Sequence, residues 1–140
     1  MLHNVLMSQT LQIPVVPSPF VLDWKAVEQG VPLPALEEFA ASSGFALKDL
    51  LEVVIPARTL KHRRQRQESL SLDESDRLAR VARMYELAVK VYGDREDGRK
   101  WLCGRKRRFD GKTALEMLDT QIGEHAVAEA LIQIDEGMFV

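Results

Sequence analysis

From Asp23 onward, apolar residues recur at three- and four-residue spacing, and Gly and Pro interrupt them at short intervals. That pattern predicts helices throughout. Asp23 is placed to cap a short helix from Trp24 to Gln29, stopped by Gly30. Pro34 opens a helix to about Ser43, with Leu36, Phe39 and Ala40 on one face, and Gly44 ends it. A third helix runs from Leu47 to about Val53, with Leu47, Leu50 and Leu51 inward. Pro56 opens a fourth, to about Gln67, anchored by Ile55 and Leu60. Short helices with tight breaks are the layout of a helix-turn-helix domain, here spanning 23–69. Upstream, Pro14, Pro17 and Pro19 forbid a helix, and residues 1–22 read as an extended arm.

The second half, 70–140, is punctuated as clearly. Ser71 and Glu74 form a capping box, and Asp73 favours the same helix start through the dipole. The helix they begin runs from Leu72 to about Tyr92. Leu78, Val81, Ala82, Tyr85, Val89 and Tyr92 make one stripe; Met84, Leu87 and Val91 make another. A helix apolar on more than half its circumference is buried on more than one side. The second side faces the N-terminal helices, another subunit, or the chain's own core. Gly93 ends this helix, and Arg95 to Leu102 reads as helical despite Gly98. Thr113 and Glu116 form a second capping box, and Thr120 caps the last helix. Val127, Ala130, Leu131 and Ile134 face inward on it, Gly137 ends it, and Ile132 lies off the stripe. Tyr92, Trp101 and Leu118 read as scaffold residues.

Composition is ordinary for a globular protein, with 46% hydrophobic and 29% charged residues and a net charge of -2. Two small helical domains bury limited cores, so a partner or a second copy is an expected source of stability. The charge is strongly segregated. Arg58, Lys61, Arg63, Arg64 and Arg66, with Thr59 and His62, precede any acidic residue until Glu68. Arg105-Lys106-Arg107-Arg108 form a basic loop that reads as solvated, with phosphate or an acidic partner as the alternative. After Lys112 the sign flips: Glu116, Asp119, Glu124, Glu129, Asp135 and Glu136 follow without a Lys or Arg. The chain then ends on Met138-Phe139-Val140, an apolar tip suited to a partner's groove.

No set of residues suggests catalysis. His3, His62 and His125 have no ligand partners at metal spacing, and there is no Gly-rich phosphate loop or Gly-x-Ser-x-Gly turn. Cys103 lies near arginines that would lower its pKa, but it has no base beside it. The expectation is a non-enzyme without metal or cofactor. A single cysteine fits a reducing, cytoplasmic setting. The N-terminus does not read as a signal peptide, and no apolar run approaches the roughly 20 residues of a membrane span.

Two stretches resemble a known family. Ile55-Pro56-Ala57-Arg58-Thr59-Leu60-Lys61-His62-Arg63 is similar to an Xre-type recognition helix. In such a helix Arg reads guanine edges while Thr and Lys meet phosphates. Val54 departs from the pattern, since many such turns carry Gly at positive φ. Either the turn is built differently or the unit is a degenerate DNA binder. The second stretch is Tyr92-Gly93-Asp94, then Trp101-Leu102, then Gly111-Lys112-Thr113-Ala114-Leu115-Glu116-Met117-Leu118-Asp119-Thr120, a Gly, and a closing helix ending in Glu136-Gly137. It resembles the toxin-binding domain of Xre/MbcA/ParS antitoxins. Arg105-Lys106 stand where the family often has Pro-Asn, and Ala114 where it usually has Pro.

The resemblance implies an all-α antitoxin that neutralises a RES-type, NAD⁺-depleting toxin by blocking its active-site cleft with the C-terminal end. Here that end comprises Ile132, Asp135, Glu136, Gly137, Met138, Phe139 and Val140. The resemblance also implies repression of its own operon through operator DNA, met by Arg58, Thr59, Lys61, His62, Arg63 and Arg66. The implied partners are a RES-domain toxin, operator DNA and a second copy of the chain. Two other readings remain: a dimeric helix-turn-helix regulator without a toxin, and an interaction module that has lost DNA binding.

Overall fold

Side-chain caps set many of the helix starts, prolines at or beside the N-cap set two others, and glycines set many of the ends. A computed structural model describes residues 22–137, so the N-terminal arm up to residue 21 and Met138-Phe139-Val140 lie outside the described residues. Eight α-helices follow in order: α1 (Trp24–Gln29), α2 (Leu33–Ser43), α3 (Leu47–Val53), α4 (Ala57–Arg66), α5 (Leu72–Tyr92), α6 (Arg95–Cys103), α7 (Ala114–Met117) and α8 (Gln121–Asp135). A 3₁₀ turn, Arg107–Phe109, lies between α6 and α7. Asp23 accepts from the Ala26 N–H at 2.8 Å, and both expected capping boxes close, Ser71 with Glu74 and Thr113 with Glu116. Thr120 accepts from the Gly123 N–H at 3.0 Å, starting α8. Gly44 and Gly93 end α2 and α5 in the left-handed region that favours glycine. The chain is all-α among its described residues, an N-terminal helix-turn-helix followed by a smaller helical part.

Helix α5 is the shared wall of both parts. It packs most heavily on α6 and α8, and also on α1 and α2. Leu78, Val81, Ala82, Tyr85, Met84 and Ala88 are buried along it, within one core that also takes in Leu36, Phe39, Leu50, Leu102, Leu118 and Leu131. The helix is therefore buried not only against α6 and α8 but also against N-terminal helices of the same chain. Phe39, Phe45 and Tyr85 form an aromatic cluster there, with Tyr85 edge-on to both phenylalanines at 6.0 and 5.5 Å. Leu118 is fully buried, as a scaffold residue should be, but Tyr92 is 38% exposed and lies at the rim.

Two glycines allow the close approaches in the second half. Gly98 lets α6 lie directly on α5: a Cβ there would sit 2.9 Å from the Val89 nitrogen. Gly123 lets α8 start against the end of α7: a Cβ would sit 1.7 Å from the Met117 carbonyl oxygen. The segment is helical despite Gly98, as the sequence predicts, and the packing requires this glycine.

Three arginines of α5 fasten other elements to it. Arg80 is buried and donates to the carbonyls of Leu118 (3.0 Å) and Asp119 (3.3 Å), satisfying the end of α7, while Asp76 neutralises it. Arg83 forms a two-pronged ion pair with Glu124 of α8 at 2.8 and 3.1 Å. Arg77 donates to the Val54 carbonyl at 3.1 Å.

The basic loop is more ordered than expected of a solvated segment. Lys106 lies 4.4 Å over the Trp101 ring and donates to the Gly104 carbonyl. Arg105 donates to the Gly111 carbonyl, and Arg108 donates to Gln133 of α8. Phe109 is buried beneath them. Lys106 is thus turned onto its own chain, while Arg105, Arg107 and Arg108 remain exposed, as a solvated loop requires.

Gly123→Ala places a methyl group where a carbonyl oxygen already sits. It should destabilise the protein by roughly 2 kcal/mol or more, the upper range of overpacking costs. Denaturant titration of the variant against the parent checks this; an unchanged midpoint contradicts the close contact of α8 with α7.

Candidate functional site

The turn between α3 and α4 decides whether α4 can be presented as a reading helix. Val54 lies in the right-handed helical region at φ -85 and ψ -50, and its N–H donates to the Leu50 carbonyl at 2.7 Å. Pro56 then turns extended at φ -61 and ψ 146 and caps α4. No residue in this turn needs positive φ, so the turn is built differently and a β-branched residue fits. Val54 and Ile55 are buried in the core. The missing glycine is no sign of degeneration.

Helix α4 is almost entirely a surface. Leu60 is its one buried residue. Arg58, Lys61, His62 and Gln65, spaced as one helical face, line a common recess in front of it. Arg58, Lys61, His62 and Arg66 are exposed, and Thr59 is half-buried. No acidic residue lies in the first turn, and no side chain caps its N–H groups. Arg64 pairs across the surface with Glu37 at 3.0 Å.

Arg63 departs from the sequence expectation that it faces nucleic acid. It points back toward α5, donating from Nε and Nη2 to the two carboxylate oxygens of Glu74, both at 3.1 Å. Its Nη1 lies 3.5 Å from Glu68. Glu74 is buried and also accepts from the Ser71 N–H at 2.7 Å. Burial alone would push its carboxyl up, but the Arg63 hydrogen bonds and charge, with those from Ser71, outweigh it and hold the group below its ordinary range. The Arg63 guanidinium is raised in turn, chiefly by Glu74. Nothing in one-dimensional spacing marks this pair, because its members lie 11 residues apart on different helices.

The C-terminal expectations divide by position. Ile132 is 49% exposed, and Asp135, Glu136 and Gly137 are exposed at the end of α8. Met138, Phe139 and Val140 lie outside the described residues. One residue escaped the sequence reading: Ile122, 84% exposed at the start of α8. The helical wheel that removed Ile132 from the buried stripe removes Ile122 as well. His125 and Glu129 are exposed on the intervening turns. Cys103 differs from expectation: burial, then Asp49, push its thiol up despite Arg99 and Lys106. It is a packing residue, not an activated thiol. Among the described residues no group of His, Cys, Asp and Glu could hold a metal, and no helix is long and apolar enough to cross a membrane.

The architecture defines a helix-turn-helix protein with a second helical part built on the same long helix. Comparison with known families is specific on both parts. Residues 25–83 match the Antitoxin Xre-like helix-turn-helix domain, and residues 87–137 match the Antitoxin Xre/MbcA/ParS C-terminal toxin-binding domain. The chain belongs to the Xre family of antitoxins. It is 46% identical over 84 residues to Antitoxin Xre of Pseudomonas putida, covering 60% of this chain and 53% of that one. It thus spans about half the length of that relative. It is 27% identical over 114 residues to Antitoxin Xre of Photorhabdus laumondii, 80% of this chain and 77% of the relative. A similar match, 27% over 86 residues, is to Antitoxin Xre of Yersinia enterocolitica, 61% of this chain and 58% of the relative.

The Glu74 carboxyl predicts an acid-sensitive contribution to stability. Because its folded pKa lies below the ordinary 4.5, the stabilisation is present above that value and is lost as pH falls through the folded pKa. Glu74→Gln should therefore be less stable than the parent at neutral pH, with the gap narrowing on acidification. Chemical denaturation at several pH values measures this; a gap constant with pH contradicts the pairing.

Proposed function

We propose that this protein is the antitoxin of a type II toxin-antitoxin pair, neutralising a RES-type, NAD⁺-degrading toxin and repressing its own operon. The observation that carries the reading is the pairing, on one long helix, of an exposed basic reading helix with a helical domain of the toxin-binding family.

Neutralisation is steric. The end of α8 brings Ile132, Asp135, Glu136 and Gly137 to the surface, and the chain continues into Met138-Phe139-Val140. Apolar burial of the tip, with Asp135 and Glu136 paired to basic groups, is suited to a cleft that otherwise takes NAD⁺ and its phosphates. Ile122 and Ile132 extend the apolar contact along α8 beside Glu129. Occlusion asks no chemistry of the antitoxin.

Operator binding falls to Arg58, Thr59, Lys61, His62 and Arg66. Arg58 is placed for a base edge, and Lys61 and the uncapped first turn of α4 for phosphates. A dimer would present two such helices to a two-fold operator.

Deleting Gly137 to Val140 should abolish protection of cells expressing the toxin while leaving the circular dichroism spectrum intact; continued protection contradicts the plugging mechanism. Arg58→Ala should weaken operator binding by roughly 1–3 kcal/mol, and Lys61→Ala should lower the salt slope by about one. Fluorescence anisotropy with the protein's own promoter fragment reads both, and absence of binding by the parent contradicts the repressor role.

A further inference from the structure

Helix α4 has a mechanical difficulty. Leu60 is its one buried residue, so hydrophobic packing gives it a single anchor, about which it could swing or roll. A reading helix must instead be held at a fixed angle, because base-edge hydrogen bonds tolerate little misplacement. Two polar contacts from α5 fall on either side of that anchor. At the turn before α4, Arg77 Nε donates to the Val54 carbonyl at 3.1 Å. Beyond Leu60, the Glu74 carboxylate takes Arg63 in a two-pronged pair at 3.1 and 3.1 Å. Glu74 and Arg77 are three residues apart and share one face of α5. Glu74 is itself fixed, because the same carboxylate closes the capping box on the Ser71 N–H.

We propose that Glu74 and Arg77 are positioning residues for DNA binding, which hold α4 at its reading angle, and that Arg63 serves this hold instead of touching nucleic acid. The inference rests on the DNA-binding role proposed above. It assigns a function in DNA recognition to two residues of the long helix that are not on the reading face. It also reverses a simple electrostatic expectation. Glu74 is a negative charge behind a DNA-facing helix, and removing it should favour DNA if charge alone mattered. If Glu74 positions α4, removing it weakens binding.

The test is anisotropy of the full-length protein with its promoter fragment over a range of salt. The proteins are the parent, Arg63→Gln, Glu74→Gln, Arg77→Gln, the Arg63→Gln/Glu74→Gln double variant, and Lys61→Ala as the phosphate-contact control. In Glu74→Gln the side-chain oxygen can still accept from the Ser71 N–H and the backbone N–H still donates to the Ser71 hydroxyl, so the capping box is kept. Each single Gln variant should lose roughly tenfold in affinity, the scale of one charge-assisted hydrogen bond. The double variant should bind no more weakly than either single, because both remove the same clasp. All should keep the parent's salt slope, while Lys61→Ala lowers it by about one.

Tighter binding by Glu74→Gln overturns the proposal, as does a salt slope lowered by about one in Arg63→Gln, the signature of a phosphate contact. Unchanged affinity in Arg77→Gln overturns the part given to Arg77. Should Glu74→Gln fail to fold, the Arg63→Gln slope and the Arg77→Gln affinity still decide the matter. A parent that binds no promoter fragment overturns the DNA-binding role itself, a result distinct from all of these.

Discussion

Everything in this fold leans on α5, and α5 begins at the Glu74 carboxylate. That one group accepts from the Ser71 N–H to start the helix and from Arg63 to seat α4 upon it. A buried carboxylate is costly unless its oxygens are satisfied, and here three donors converge on it. The same helix then carries Arg77, Arg80 and Arg83, each fastening a different element: the α3–α4 turn, the end of α7, and α8. The apolar side chains of α5 supply the core, and its arginines fix the directions in which other helices leave it.

This construction explains how so short a chain carries two surfaces. Neither half needs a complete core of its own, because Leu78, Val81, Ala82 and Tyr85 belong to a core cluster that runs through both. The net charge of -2 conceals opposite local characters, a basic α4 and an acidic stretch from Glu116 to Glu136. Much of the remaining charge is paired within the chain. Arg83 meets Glu124, Arg105 lies near Glu116, and Lys106 covers Trp101. On the outer face of α4, Arg58, Lys61, His62 and Arg66 stay exposed, as do Glu129, Asp135 and Glu136 along and just past α8.

Most of the fold was legible in the sequence because it is written in local signals. Asp23, Ser71, Thr113 and Thr120 cap the helices that follow them, and Gly44, Gly93 and Gly137 lie past helix ends at positive φ. The Ile55 and Leu60 anchors are buried as expected. The features that were not legible depend on three-dimensional neighbours. Val54 looked unsuitable only against a glycine-type turn, and the actual turn stays in the right-handed region. Arg63 and Arg58 are alike in sequence, and only the placement of Glu74 turns one inward. Nothing in the local sequence marks Arg80, which is buried against the Leu118 and Asp119 carbonyls. Cys103 sits near arginines in the chain, but burial and Asp49 dominate its thiol. The C-terminal surface was half legible: Ile132 stood out beside the apolar terminus, whereas Ile122, ten residues earlier, did not.

The central claim is that one long helix supports two separate working surfaces, α4 for nucleic acid and the α8 end for a toxin. Hydrogen–deuterium exchange on the full chain, with and without a RES-type toxin that it neutralises, measures this most directly. The account predicts slowed exchange in the peptides covering 121–140 and unchanged exchange across 57–66. Protection of 57–66 with none in 121–140 would contradict it.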